Sequence, residues 1–407
     1  MKVDRQQWLE QGYLIQRQVI PPDQLDAIRA SYETLLERQK TVWANEREPD
    51  DPPGGVWEKD PQPRIYLLQW GGHYVPDLVD ESTANAFEVW LSENVLGVSS
   101  QLLGVPEAPI FMFSMMCSPI RDRGPSHWHR DVSTDMGPLK VLQEDVSENG
   151  PRYLQWNIPL YDDDVFWVVP ASHRRLNTDQ ENRELSNDDR AALTNGMQVK
   201  LKAGDGIVYD NYMLHWGSDY SAKLRRTLHG AFCRFTHYKD LSFTKCLSPA
   251  SQQTFKRWAR TSEDMQDRTE TALKAAINRD VAGYLDGLDS LHPGVGDKGR
   301  FGLTVYLSKA ARNIHLLKRP DYAELPARDR YLAESAHSLS LNWGGQFADR
   351  FSDQEAEQLW ERFKVVDSNL QGEEERSAPG FGSRRSRYYF NEIPAGFGFD
   401  EFVASWG

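Results

Sequence analysis

From about residue 109 to residue 240 the sequence breaks into short apolar runs divided by turn residues, and this texture constrains the fold more than any other feature. Runs at 110–117, 154–160, 165–169, 197–201, 207–209 and 227–235 are each of strand length, and most have no helix-length segment between them. Several short strands in that spacing predict an antiparallel sandwich or barrel. The polar stretch 177–195 is too long for a hairpin turn and predicts a short helix or a flap.

Both flanks read as helical. Residues 21–46 open with Pro21, Pro22 and Asp23, and Leu25, Ile28, Tyr32, Leu35 and Leu36 recur at helical spacing. Residues 82–103 repeat the pattern with Phe87, Trp90, Leu91 and Val95, and Gly104 follows as a stop. Beyond Asp240, residues 249–288 and 326–366 carry helical periodicity with charged outer faces. The division is an N-terminal helical layer at 1–104, a β-core at 105–240 and a mainly helical C-terminal extension at 241–407. The extension is expected to pack on the core and shape the substrate entrance, with the aromatic, Gly-rich tail around Tyr388, Tyr389 and Phe390 contributing. The alternative is a dimerisation layer, which leaves a homodimer open. Arg384, Arg385 and Arg387 read as a solvated face, with an arm closing over the pocket as the sharper alternative.

Charge narrows the partners. Lys plus Arg number 47 against 60 Asp plus Glu, a formal charge of −13. Such a surface repels a phosphate backbone and an anionic bilayer, so the expectation is a small-molecule substrate, no nucleic acid and no membrane. No stretch approaches the roughly 18 apolar residues of a membrane span. Cys117, Cys233 and Cys246 are too few and scattered for a disulfide framework, and the N-terminal residues lack an apolar signal-peptide core. A reducing, cytoplasmic setting is expected.

The chemistry concentrates in the segment Ser126-His127-Trp128-His129-Arg130-Asp131. A lone His-x-Asp occurs by chance. At a strand end, however, positions i and i+2 point to one side, so His129 and Asp131 can reach one ion. His215 follows another strand after the turn Ala203-Gly204-Asp205-Gly206. Two histidines and a carboxylate make the facial set that leaves open positions on iron(II). Arg226 stands on the run that continues as the last strand, where a guanidinium can hold a dicarboxylate by a bidentate pair. Its neighbour Arg225 is expected to point the other way. His127 reads as a packed or supporting imidazole, with substrate contact as the alternative, and His173 as a structural one.

These motifs, in order, resemble the phytanoyl-CoA dioxygenase family of Fe(II)/2-oxoglutarate-dependent oxygenases. The resemblance spans about residues 6–237: WLEQGYLIQRQVIPPDQLDAIRA at the start, HWHRD, LQWNIPLYDDD, VFWVVPASHR, and KAGDGIVYDNYMLHWGSDYSAKLRRTLHGAF. It implies an α+β fold with a double-stranded β-helix core (jelly-roll, cupin-like), flanked by the N-terminal helices and the C-terminal extension. It implies His129, Asp131 and His215 as iron ligands, Arg226 as partner of the far carboxylate of 2-oxoglutarate, and dioxygen as second co-substrate. Gly217 stands where the family often has a serine that helps bind that carboxylate. The strand before the metal motif lacks polar residues many members use at the other end of the co-substrate; Ser114, or inward-facing Gln155 and Asn157, are the substitutes.

The implied activity is oxidation of an unactivated C–H bond of a small molecule, hydroxylation by default, with release of succinate and carbon dioxide. Desaturation, cyclisation and epoxidation are alternatives within the same chemistry. The alternative of another class is a non-catalytic jelly-roll binding protein with a structural metal.

Overall fold

A computed structural model describes residues 3–69, 78–132, 137–337, 341–382 and 384–407. Eleven strands position the candidate site: β1 (Tyr13–Gln16), β2 (Arg64–Leu68), β3 (Ile110–Cys117), β4 (Gly124–Pro125), β5 (Tyr153–Pro159), β6 (Asp163–Val168), β7 (Met197–Leu201), β8 (Gly206–Tyr209), β9 (His215–Trp216), β10 (Ser218–Asp219) and β11 (Arg226–Cys233). The larger sheet is antiparallel, in the order β1-β8-β5-β11-β3-β2. A smaller sheet runs β7-β6-β9, and β10 pairs with β4.

Two features depart from the sequence expectation. The first hundred residues are not only helical, since β1 and β2 form the two edges of the larger sheet. Each is a short strand whose partner lies far along the chain, so local periodicity gives no sign of the pairing. A helix, Leu139–Asn149, also interrupts the strand region, burying Leu139, Leu142 and Val146 at helical spacing. The stretch 177–195 does hold a helix, Asp179–Asn187, begun by a capping box between Thr178 and Glu181.

Residues directly opposite in an antiparallel pair share a face. The register places His229 opposite Asn157 and Ser114, Ala231 opposite Gln155, and Gln155 opposite Tyr209, so these side chains lie on one face. The intervening Leu228, Phe232, Trp156, Ile158, Phe113 and Met115 lie on the other, in one buried cluster with Ile28, Tyr32, Leu35 and Leu36 of the helix Pro22–Asn45. Gly230 belongs to this outer face. A Cβ there would sit 2.4 Å from the Trp90 ring, so the bare backbone is what lets the indole approach the sheet this closely. On the inner face, Ile207 and Tyr209 meet Phe166, Val168, Val199 and Leu201 of the smaller sheet. The two sheets therefore enclose a layer between them.

The C-terminal residues form helices at Pro249–Ile277, Val281–Leu291, Asp297–Lys318, Ala327–Glu334, Asp353–Leu370 and Phe399–Ala404. Asp297–Lys318 is buried on several sides, as a central helix must be. Its cluster includes Leu307, Leu359, Phe363, Phe402 and Trp406, but also Val132, Leu142 and Tyr212 from the strand region. One apolar core is thus shared across the expected boundary at residue 240. Among the described residues no helix is long and apolar enough to cross a membrane, and the three cysteines are free thiols.

Candidate metal centre

His129 and His215 are locked together by their own backbone. Each amide donates to the other's carbonyl at 2.9 Å, and the Asp131 amide donates to the Asn211 carbonyl at 2.8 Å. The donor atoms of His129, Asp131 and His215 all lie within 4.8 Å of one another. Nε2 of His129 is 3.6 Å from Oδ1 of Asp131, and Nε2 of His215 is 3.4 Å from Oδ2.

The imidazoles are also set in the right tautomer. Nδ1 of His129 bonds the His127 carbonyl at 2.8 Å, and Nδ1 of His215 bonds the Met213 carbonyl at 2.9 Å. A carbonyl only accepts, so each Nδ1 carries a proton and each Nε2, the atom facing the carboxylate, is the one that is free to bind a metal when the ring is neutral. Burial is the main cause that lowers the His129 pKa to about 4, with His215 adding to it and Asp131 opposing. For Asp131, burial pushes upward, but His215, His129 and Arg384 outweigh it and hold the group well below the usual carboxylate range. The His129 ring is thus held toward its neutral form and Asp131 toward its carboxylate. Bonds of about 2.1 Å at right angles need donors roughly 3 Å apart, so the set can close on a divalent ion by small side-chain adjustments.

The expected supporting residues fall into two groups. Gln155 donates from Nε2 to Oδ2 of Asp131 at 3.0 Å, and its buried Oε1 has no hydrogen-bond partner among the described residues. Asn157 accepts from Nδ1 of His229 at 2.8 Å. Burial, reinforced by Arg64, lowers the His229 pKa to about 3. Ser114 shares their face, yet its hydroxyl bonds the His229 carbonyl at 3.3 Å and serves the sheet. His127 lies between Asp189 and Arg190, at 2.7 and 2.8 Å, and His173 bonds the Leu9 carbonyl at 3.1 Å. Both rings are engaged by protein groups, His173 in a buried setting and His127 in a partly exposed one.

Arg226 is not at the site. Its Nε donates to Glu33 at 2.9 Å, on the helix behind the sheet. Thr227, His229 and Ala231 occupy the inner face, so Arg225 lies on the inner side of the strand and Arg226 on the outer. The Arg225 guanidinium reaches between the sheets, with Nε 3.3 Å from Asp163 on β6 and Nη1 3.4 Å from the Ser218 carbonyl. The sequence held the signal for this: polar Thr227 and His229 alternate with apolar Leu228, which puts the odd positions inside.

Arg384 had no such signal. Its Nη2 lies 3.1 Å from Oδ1 of Asp131, and its Nη1 donates to the carbonyl of Arg130 at 2.8 Å.

The family model of phytanoyl-CoA dioxygenase (PhyH) matches residues 8–227. No curated protein matches the chain. Similar solved structures include AviO1 from Streptomyces viridochromogenes Tue57, at 20% identity and TM-score 0.38, covering 57% of this chain and 96% of that one. The non-heme alpha ketoglutarate dependent carbocyclase SnoK from nogalamycin biosynthesis is 18% identical at TM-score 0.36, covering 57% and 83%. HygX from Streptomyces hygroscopicus, with nickel and 2-oxoglutarate bound, is 15% identical at TM-score 0.39, covering 58% and 90%.

Proposed function

The chain belongs to the phytanoyl-CoA dioxygenase family, and on that premise we propose that it hydroxylates an unactivated C–H bond of a small molecule at a centre held by His129, Asp131 and His215. It is a 2-oxoglutarate-dependent non-heme iron oxygenase, with Fe(II) as cofactor and 2-oxoglutarate and dioxygen as co-substrates. The observation that carries the ligand assignment is the convergence of the three side chains, with both Nδ1 atoms on backbone carbonyls and both Nε2 atoms facing the carboxylate.

What the bound iron supplies is the coupling of dioxygen reduction to oxidative decarboxylation of 2-oxoglutarate; one oxygen atom goes to succinate and one to the substrate. The protein's residues do the positioning. The carbonyls of His127 and Met213 hold both imidazoles in the metal-binding tautomer, and Gln155 fixes one carboxylate oxygen of Asp131. Arg225 pairs with the far carboxylate of the co-substrate; its Nη2 makes no hydrogen bond among the described residues. Phe166 and Tyr209 stand beside the His215 ring, with centroids 5.7 and 5.3 Å away, and keep water from that side.

The two facing antiparallel sheets support reading residues 105–240 as a double-stranded β-helix. The shared core supports reading 241–407 as an extension packed on it. A cytoplasmic setting belongs to the same proposal, supported by the three free thiols. The test is succinate formation from 2-oxoglutarate. It should require Fe(II) and stop in His129→Ala and His215→Ala; equal release from either variant refutes the ligand assignment.

A further inference from the structure

The C-terminal extension does more than pack beside the strand region, because part of it joins the metal motif strand to strand. Phe381 pairs with His129 in an antiparallel bridge on the side opposite His215. The Arg130 amide donates to the Gly380 carbonyl at 2.9 Å, and Asn177 donates to the Pro379 carbonyl at 2.8 Å. Gly380 takes a φ of +84°, a left-handed conformation that other residues rarely adopt, with Leu214 and Asn177 about its would-be Cβ at 3.1 and 3.2 Å. Chain direction at this turn delivers the next residues onto the motif.

Arg384 is what the turn delivers. Its Nη1 donates to the carbonyls of Arg130 and Val132, at 2.8 and 3.4 Å, one residue to either side of Asp131. Its Nη2 lies 3.1 Å from Oδ1 of Asp131, while Gln155 holds Oδ2 at 3.0 Å. One planar fork therefore grips both the backbone around the ligand and the ligand itself, and the two donors fix the plane of the carboxylate. A guanidinium suits this because its donors are rigidly placed and always charged.

We propose that Arg384 is a positioning residue for the metal centre, orienting the Asp131 carboxylate toward the ion, so that the centre is completed by the C-terminal extension. This rests on reading His129, Asp131 and His215 as the ligands. The sign of the effect separates orientation from charge. A cation beside a divalent ion repels it, so removing Arg384 would tighten metal binding if charge were its only contribution. Loss of orientation weakens binding instead.

The experiment is titration of the full-length, metal-free protein with Mn(II) and Co(II), together with the absorption spectrum of the Co(II) form. In Arg384→Gln the metal dissociation constant should rise about 10- to 100-fold, the range for lost partners of metal ligands. The Co(II) spectrum should change, and the metal-free melting temperature should stay within about 2 °C. Arg384→Lys, which keeps a donor and the charge without the fork, should recover part of the affinity. Wild-type or tighter metal binding by Arg384→Gln overturns the proposal. So does a fall in the metal-free melting temperature that Arg384→Lys reverses together with the whole of the metal affinity, which marks a structural clasp. Asp131→Ala is the control on the ligand reading: if it binds Mn(II) like the wild type, that reading fails irrespective of Arg384.

Discussion

Arg226 and Glu33 form an ion pair at 2.9 Å across the back of the larger sheet, while the adjacent Arg225 reaches Asp163 between the sheets. An arginine spent on the N-terminal helix cannot also reach between the sheets.

The kinetic consequence is selective. Arg225→Gln should raise the Michaelis constant for 2-oxoglutarate at least about tenfold, as expected for a lost charge-assisted pair of about 1.5–3 kcal/mol. The constant for the substrate should change far less. Arg226→Gln should leave both constants alone and lower stability by about 1 kcal/mol or less, since Glu33 is partly exposed. Steady-state kinetics of the two variants settle the matter, and the reverse pattern would restore Arg226.

Strand positions were legible in the sequence because alternation and turn residues are local signals; β3 falls at 110–117, where its apolar run lies. The grouping of His129 and Asp131 was legible because residues two apart in extended backbone point to one side. Assigning a face was harder. The start of β11 carries two arginines in a row, and the resemblance points to Arg226, whereas the polar-apolar alternation of Thr227, Leu228 and His229 puts Arg225 on the inner side. Arg384 was read as a solvated face, with an arm over the pocket as the alternative, and its contact with Asp131 spans 253 residues. No periodicity or motif carries information across that distance.

Acid should destabilise the metal-free protein well above the carboxylate range. Burial lowers the pKa of His173 to about 4 and that of His229 to about 3. In the unfolded chain both take up protons near pH 6.5, so from about pH 6.5 downward the unfolded state binds more protons and stability falls until the folded groups titrate. Denaturant unfolding from about pH 7 to pH 4.5 should show this decline, shallower in His173→Asn because one group drops out. A flat profile over that range contradicts neutral burial of these rings.

Phe402 tests how far the extension and the strand region share one core. It is fully buried beside Phe363 and Trp406, in the cluster that reaches Val132 and Tyr212. Phe402→Ala should cost about 3–5 kcal/mol. The unfolding should remain one cooperative transition, followed by both far-ultraviolet dichroism and tryptophan fluorescence. Two separated transitions would mean that the extension folds by itself.

The close approach at Gly230 gives a steric prediction. Gly230→Val puts methyl groups into the face of Trp90 and should cost at least about 1–3 kcal/mol, the range for overpacking a filled core. Gly230→Val combined with Trp90→Leu should recover part of the loss in thermal melting. An uncoupled, additive outcome would place the strain elsewhere.

The bridge between Phe381 and His129 also has a meaning in time. A ribosome makes the chain in one direction, so both histidines and Asp131 emerge long before Phe381 and Arg384 exist to sit beside them. During synthesis the three ligands can come together with one flank still uncovered, and the flank closes only when the end of the chain folds back.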